Sequence, residues 1–260
     1  MKIDRLTLRG FRNYQDLSCD FVPGVNLLLG DNANGKTNLL EALYYLSVGR
    51  AFRTRKEAEL ISFGAELADL EAEVTGADRT QTLRAVLFAG RRPRQLYLGG
   101  VKKKAFSDLA GTLTTVLFCP DDLQVLKAGA TDRRKLLDDA LCQLRPKYTA
   151  ALEEYQRLLR QKGEVLRQQE EHPEYRDILP EYDLRMAELG AVIVSTRAKY
   201  LRSLETEART FHKTFSGDKE TLSLTYETVS TVQNPFAPLT TLYGWLREHQ
   251  ETHRRAELES

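Results

Sequence analysis

The sequence is poor in the residues that would point to several common protein classes. Three cysteines (Cys19, Cys119, Cys142) stand far apart in 260 residues. An odd count without metal-ligand spacing excludes a disulfide framework and a cysteine-based zinc site, so they read as reduced core residues. There is one tryptophan, two methionines and no apolar run of about 18 residues, which excludes a membrane-spanning helix. Met1-Lys2-Ile3-Asp4 leads at once into an alternating pattern rather than a signal-peptide core, and this predicts a cytoplasmic protein without membrane association. Hydrophobic residues make up 42% and charged residues 29%. That balance excludes disordered and fibrous classes and suits one large domain or two ordinary ones.

One local absence stands out. Between Arg79 and Ser107 no acidic residue occurs, while Arg79, Arg84, Arg91, Arg92, Arg94, Lys102, Lys103 and Lys104 do. The net charge is +1, so removing these eight cations leaves −7 for the rest. A positive segment on an otherwise acidic chain has the electrostatic character that a phosphate backbone seeks. Solvated loop charge is the competing reading.

The order of elements follows from periodicity. Ile3 to Leu8 and Leu17 to Phe21 read as strands joined by the turn Gly10-Phe11-Arg12-Asn13-Tyr14, and Val25 to Leu29 as a third, buried strand. Leu83 to Leu98 alternates around Ala89-Gly90-Arg91-Arg92-Pro93-Arg94, predicting a hairpin with a basic tip. Past residue 130 the spacing becomes helical, with one series from Leu137 to Leu166 and another from Leu184 to Phe211. Polar sequence separates them, predicting two long helices folded back as an antiparallel arm, with Pro146 and Pro180 as kinks or divisions. Leu222 to Tyr226 reads as a strand. The expected division is 1–110 for an α/β part and 111–260 for a helical lobe.

The chemistry is concentrated in Gly30-Asp31-Asn32-Ala33-Asn34-Gly35-Lys36-Thr37, which fits G-x-x-x-x-G-K-[ST]. Glycines let successive backbone N–H groups curl around phosphate oxygens, Lys36 reaches the β and γ phosphates, and the Thr37 hydroxyl ligates Mg²⁺. A helix beginning there points its positive end at the same anions. The competing reading is a glycine turn with a solvated lysine. Hydrolysis also needs an acidic residue at the end of a buried strand. Val116 to Asp122 is the one tempting stretch, but Pro120 suits a strand poorly and Asp121 or Asp122 serves equally well as a helix cap. The four histidines lack a metalloprotease context and read as solvated.

Together, Gly10 to Tyr14, Gly30 to Ala42, Val48-Gly49-Arg50-Ala51-Phe52-Arg53, Phe118 to Leu123, Asp132 to Asp138 and Glu181-Tyr182-Asp183 with Arg185 resemble the bacterial RecF family in order and spacing. The resemblance implies an α/β fold: a P-loop ABC-type ATPase head related to SMC and Rad50, with an inserted helical domain. It implies a DNA replication, repair and recombination protein that binds ATP and Mg²⁺ and dimerises around the nucleotide. Such a protein engages single-stranded and double-stranded DNA at gaps, and works with RecR and RecO to load RecA. Gly30 to Thr37 would form the Walker A loop, with Arg12 and Asn13 near the nucleotide, although an ordinary polar turn is the alternative for that pair. Arg50, Arg53, Arg91, Arg92, Arg94, Lys102, Lys103 and Lys104 become DNA-facing candidates.

The family pattern also includes a signature with Ser-Gln-Gly-Gln-Gln and a Walker B strand ending in acidic residues. Neither occurs in these 260 residues, and Ser216-Gly217-Asp218 does not replace them. The expectation is a truncated form whose head is incomplete, with no catalytic residue assigned in this chain. The alternative function is a nucleotide-binding or protein-interaction fragment without turnover. An SMC head is disfavoured by the short helical insertion, and an overcoming-lysogenisation nuclease by the lack of an acidic metal cluster.

Overall fold

In the computed structural model, residues 1–54, 56–76, 78–119, 129–168 and 171–259 are described. They divide into two compact units, Met1–Thr149 and Ala150–Ser260. The division thus falls well beyond the change expected at residue 110.

The first unit is built on six strands: β1 Lys2–Phe11, β2 Tyr14–Asp20, β3 Leu67–Thr75, β4 Thr80–Phe88, β5 Gln95–Leu98 and β6 Val101–Lys103. They form one antiparallel sheet in the order β2-β1-β3-β4-β5-β6. Alternation decides which face is buried. Leu6 and Leu8 of β1, Leu70 and Ala72 of β3 and Leu83 and Ala85 of β4 are inaccessible and pack with Leu39, Ala42 and Leu46 of helix α1, Lys36–Val48. The opposite face carries Arg5, Arg9, Asp16, Glu71 and Glu73 around a shallow cavity of about 200 Å³.

Helix α2, Ala130–Leu144, joins this unit through polar contacts to α1. The Tyr44 hydroxyl donates to Asp139 at 2.7 Å, Arg50 pairs with the same carboxylate, and Ser47 and Gln143 both reach Thr115. Asp138, the last residue of the Asp132 to Asp138 motif, and its neighbour Asp139 therefore hold helices together, Asp138 accepting from the Tyr148 hydroxyl at 2.6 Å.

The second unit is helical: α3 Pro146–Gln168, in which the division falls, α4 Leu179–Ser216, α5 Leu239–Glu248 and α6 Gln250–Glu259. Tyr155 lies against Gly190, and Lys162 pairs with Asp183 at 2.7 Å. The rising number on one helix against the falling number on the other makes α3 and α4 antiparallel, as the periodicity predicts. Pro146 divides the first helical series and Pro180 enters the first turn of α4, where the missing N–H costs nothing.

Two expected strands are corrected. Val25 to Leu29 has no regular secondary structure and pairs with no strand among the described residues, and Val25, Leu27 and Leu29 are 91%, 76% and 82% exposed. An apolar run identifies a segment able to enter a sheet, whereas burial depends on neighbours that the run does not specify. Leu222 to Tyr226 likewise has no regular secondary structure and forms no ladder among the described residues; Leu222, Leu224 and Tyr226 are half-buried and the residues between them exposed. The parallel sheet of a P-loop head is accordingly absent from the described residues, and mixed α/β with an antiparallel sheet is what they form. Pro120, Asp121, Asp122 and Leu123 lie outside the described residues.

Candidate functional site

The loop from Gly30 to Thr37 joins the apolar run 25–29 to α1. Ala33 and Gly35 both have positive φ, 69° and 93°. Gly35 requires glycine twice over: its backbone is left-handed, and a Cβ would come within 2.6 Å of the Asn13 amide group. Among the described residues no side chain caps α1 and its first turn carries no acid. Its leading N–H groups and positive dipole end are thus left for an anion. The Lys36 ammonium crosses the loop and donates to the Gly30 and Asp31 carbonyls at 2.7 and 2.8 Å. Thr37 is exposed, and its hydroxyl makes no hydrogen bond among the described residues. This is a cradle whose donors suit a polyphosphate, with a hydroxyl suited to a shared Mg²⁺. No cluster of three or more His, Cys, Asp or Glu able to hold a metal occurs among the described residues.

The β1–β2 turn braces this loop. Asn13 accepts from the Asn38 side-chain amide at 2.8 Å, Asn38 accepts from Arg53 at 2.9 Å, and the Tyr14 hydroxyl donates to the Gly35 carbonyl at 3.0 Å. Arg12 does something different. It has φ 51° and turns inward, its Nε and Nη2 donating to the fully buried Glu41 at 2.8 and 3.1 Å and its Nη1 to the Glu59 carbonyl at 2.8 Å. Asn13 is therefore beside the loop, and Arg12 anchors the turn to α1.

The basic candidates separate into two sets. Arg50 is held by Asp139, Arg53 by Asn38, and Arg84 forms a two-pronged pair with Asp69 at 2.8 and 2.6 Å. Arg94 donates to Glu57 at 2.5 Å, to the Gly49 carbonyl at 2.8 Å and to the Tyr45 hydroxyl at 3.1 Å. Arg91, Arg92, Lys102, Lys103 and Lys104 make no ion pair with a carboxylate among the described residues, and all but Lys103 are exposed. Arg92 rests on the Phe88 ring, 3.9 Å from its centre.

Sequence reasoning missed Tyr14, Asn38, Glu41, Tyr45 and Glu57. Only Glu41 left a usable signal, as a lone acid inside the apolar series Leu39-Leu40-Glu41-Ala42-Leu43.

A family described as the RecF/RecN/SMC N terminal domain matches residues 2–96. Among curated relatives, the DNA replication and repair protein RecF of Clostridium novyi (strain NT) is 34% identical over 253 residues, 96% of this chain and 67% of that protein. The protein of that description from Symbiobacterium thermophilum is 37% identical over 93% of this chain and 64% of its own length. That of Enterococcus faecalis is 34% identical over 99% and 68%. Of solved structures, the recombination mediator protein RecF-ATPrS in the RecFOR pathway superposes with a TM-score of 0.87 at 28% identity, covering 99% of this chain and 69% of that one. A second, RecF-ATP, gives 0.85. The chain therefore spans about two thirds of the length of these relatives, less for some.

Proposed function

The chain belongs to the RecF family, and on that footing we propose that it binds ATP with Mg²⁺ at Gly30 to Thr37 and thereby controls its association with DNA in replication, repair and recombination. The observation that supports this most is the loop itself: a glycine turn braced by Asn13 and Tyr14, opening onto an α1 terminus that nothing caps among the described residues. The amides from Ala33 to Thr37 and the Lys36 ammonium hold phosphate oxygens, and the Thr37 hydroxyl holds the metal. The bound Mg²⁺ neutralises triphosphate charge and fixes its geometry. Asn13 and Asn38, joined to each other and to Arg53, keep the loop mouth in shape.

The DNA, single-stranded or double-stranded at a gap, is met by unpaired cations of the first unit. The proposed setting is cytoplasmic, with RecR and RecO as partners, RecA loading as the outcome, and an ATP-dependent homodimer as the working form in relatives of full length. A second reading is nucleotide binding and protein interaction without turnover.

Lys36→Ala is the direct test. Loss of a charge-assisted contact should weaken binding of a fluorescent ATP analogue by roughly tenfold or more, and should remove any nucleotide dependence of DNA association. Unchanged analogue binding overturns the assignment. A Lys36→Ala protein that still binds DNA only with ATP would do the same.

A further inference from the structure

Arg94 sits within the basic stretch, yet its side chain points into the first unit rather than toward a ligand. Its one nitrogen Nη1 meets three oxygens that belong to the α1 side of the fold: the Tyr45 hydroxyl, the Gly49 carbonyl that ends α1, and Glu57. Tyr45, inaccessible to solvent, also donates to Glu57 at 2.7 Å. Gly49 is fixed in turn, with φ 79° and the Phe106 ring where a Cβ would stand, 2.6 Å away. The turn between β4 and β5 is therefore tied at its base to the helix that begins at the phosphate loop.

Beyond that tie the turn is solvent-facing. Arg91 and Arg92 project from it, Arg92 held by the Phe88 ring. The sheet register brings further charge to the same end. Val86 faces Gln95, so residues 87–94 form the tip, and Leu96 faces Lys103, so Lys103 and Lys104 flank its base. Of the carboxylates at this end, Asp69 is engaged by Arg84 and Glu57 by Arg94, Asp108 accepts from the Lys104 backbone N–H at 3.1 Å, and exposed Glu66, whose carbonyl accepts from Ala89 N–H, is one acid set against the five cations Arg91, Arg92, Lys102, Lys103 and Lys104.

We propose that the β4–β5 tip, with Arg91 and Arg92, docks on the phosphodiester backbone of DNA, and that Arg94 is a positioning residue which holds the tip through Glu57 and Tyr45. This deepens the DNA-binding reading and rests on it. Point charges on phosphates carry no base information, so binding here is sequence-independent and salt-sensitive.

The two roles of Arg94 differ in the sign of one experiment. Glu57→Gln adds one net positive charge beside the tip. If Arg94 were a plain phosphate contact, releasing it from Glu57 would leave DNA affinity equal or higher. If it positions the tip, affinity falls in spite of the added charge, by about fivefold, the equivalent of one hydrogen bond. Binding of a fluorescein-labelled gapped duplex to the whole chain, titrated over salt, reads this out. Arg91→Glu with Arg92→Glu should lower affinity by roughly tenfold and flatten the dependence of log K on log salt by about two ions. Melting temperature and ATP-analogue binding report folding separately. Should Glu57→Gln not fold, Arg94→Lys preserves the charge but shifts it from the guanidinium position at which Nη1 meets all three oxygens, and the same fivefold loss is expected. Parental or tighter binding by Glu57→Gln, or by Arg94→Lys if that is the variant measured, overturns the positioning role. An unaltered salt slope after tip reversal, in a parent that binds, places the surface elsewhere. A parent with no salt-dependent DNA binding removes the DNA reading itself, whereas loss of analogue binding by Lys36→Ala stands apart from all three.

Discussion

Arg12 adopts left-handed backbone space and spends its guanidinium on Glu41, a carboxylate with no solvent access. Removing one member of a buried pair leaves an uncompensated charge, so Arg12→Ala should cost about 3–5 kcal/mol, visible in a urea or thermal melt. Loss of less than about 1 kcal/mol would mean that Glu41 finds water or another partner. Cys142 provides a chemical check at the same scale. Burial pushes its thiol up to about 11, with Arg50 and the Thr149 hydroxyl opposing. Native protein at pH 8 should therefore leave Cys142 unalkylated by iodoacetamide while half-buried Cys19 reacts, and denaturation should equalise them. The loop residues Gly30 to Thr37 were legible because their spacing encodes one chemistry. The role of Arg12 was not, since its partner lies 29 positions away and composition says nothing about which residues meet.

At the level of elements, helix periods and hairpin alternation carried α3, α4 and the β4–β5 turn, each of which is fixed by residues close in sequence. A charge count along the sequence does not separate the paired cations of this stretch from the unpaired ones. Arg84 and Arg94 are neutralised by Asp69 and Glu57, 15 and 37 residues away, so a stretch that reads as acid-free meets its acids across the fold. In the second unit, Asp183 of α4 is enclosed by Lys162 of α3 and Arg254 of α6, and His253 lies beside them, its ring bonded to Thr231 at 3.1 Å. Desolvation first, then Lys162 and His249, lower the His253 pKa, against a smaller opposing pull from Asp183. A histidine held neutral in the fold and free to protonate when unfolded gives the unfolded chain more protons. Stability is thus complete above the ordinary value of about 6.5 and declines as pH falls from there to the lower folded value. Urea midpoints followed from pH 7.5 to 5 should show this decline, and His253→Gln should flatten it. An identical slope in that variant would assign the acid sensitivity to other groups.

For the molecule as a whole, the exposed run from Val25 to Leu29 is the feature most at odds with a sequence reading, together with Val116 and Phe118 at 100% and 79% exposure. Exposed large apolar side chains, three of them within five residues at Val25, Leu27 and Leu29, promote association. Replacing Val25, Leu27 and Leu29 by threonine should reduce concentration-dependent sedimentation and dye binding, and leave the melting temperature within about 2 °C, since these side chains contribute to no core. A large drop in melting temperature would mean that they are buried in solution. Among the described residues no helix is long and apolar enough to cross a membrane.

The outermost strand, β6, has its own consequence. Among the described residues Val101-Lys102-Lys103 ends the sheet with one side unpaired, and repeated lysine there acts as a gatekeeper: mutual repulsion keeps two molecules from zipping their borders into a continuous fibril. Mutagenesis of this strand therefore has a chemical constraint. Glutamate at Lys102 and Lys103 keeps like charges facing like charges and the protein dispersed, whereas alanine or valine removes that guard, and turbidity would then be mistaken for a lost ligand.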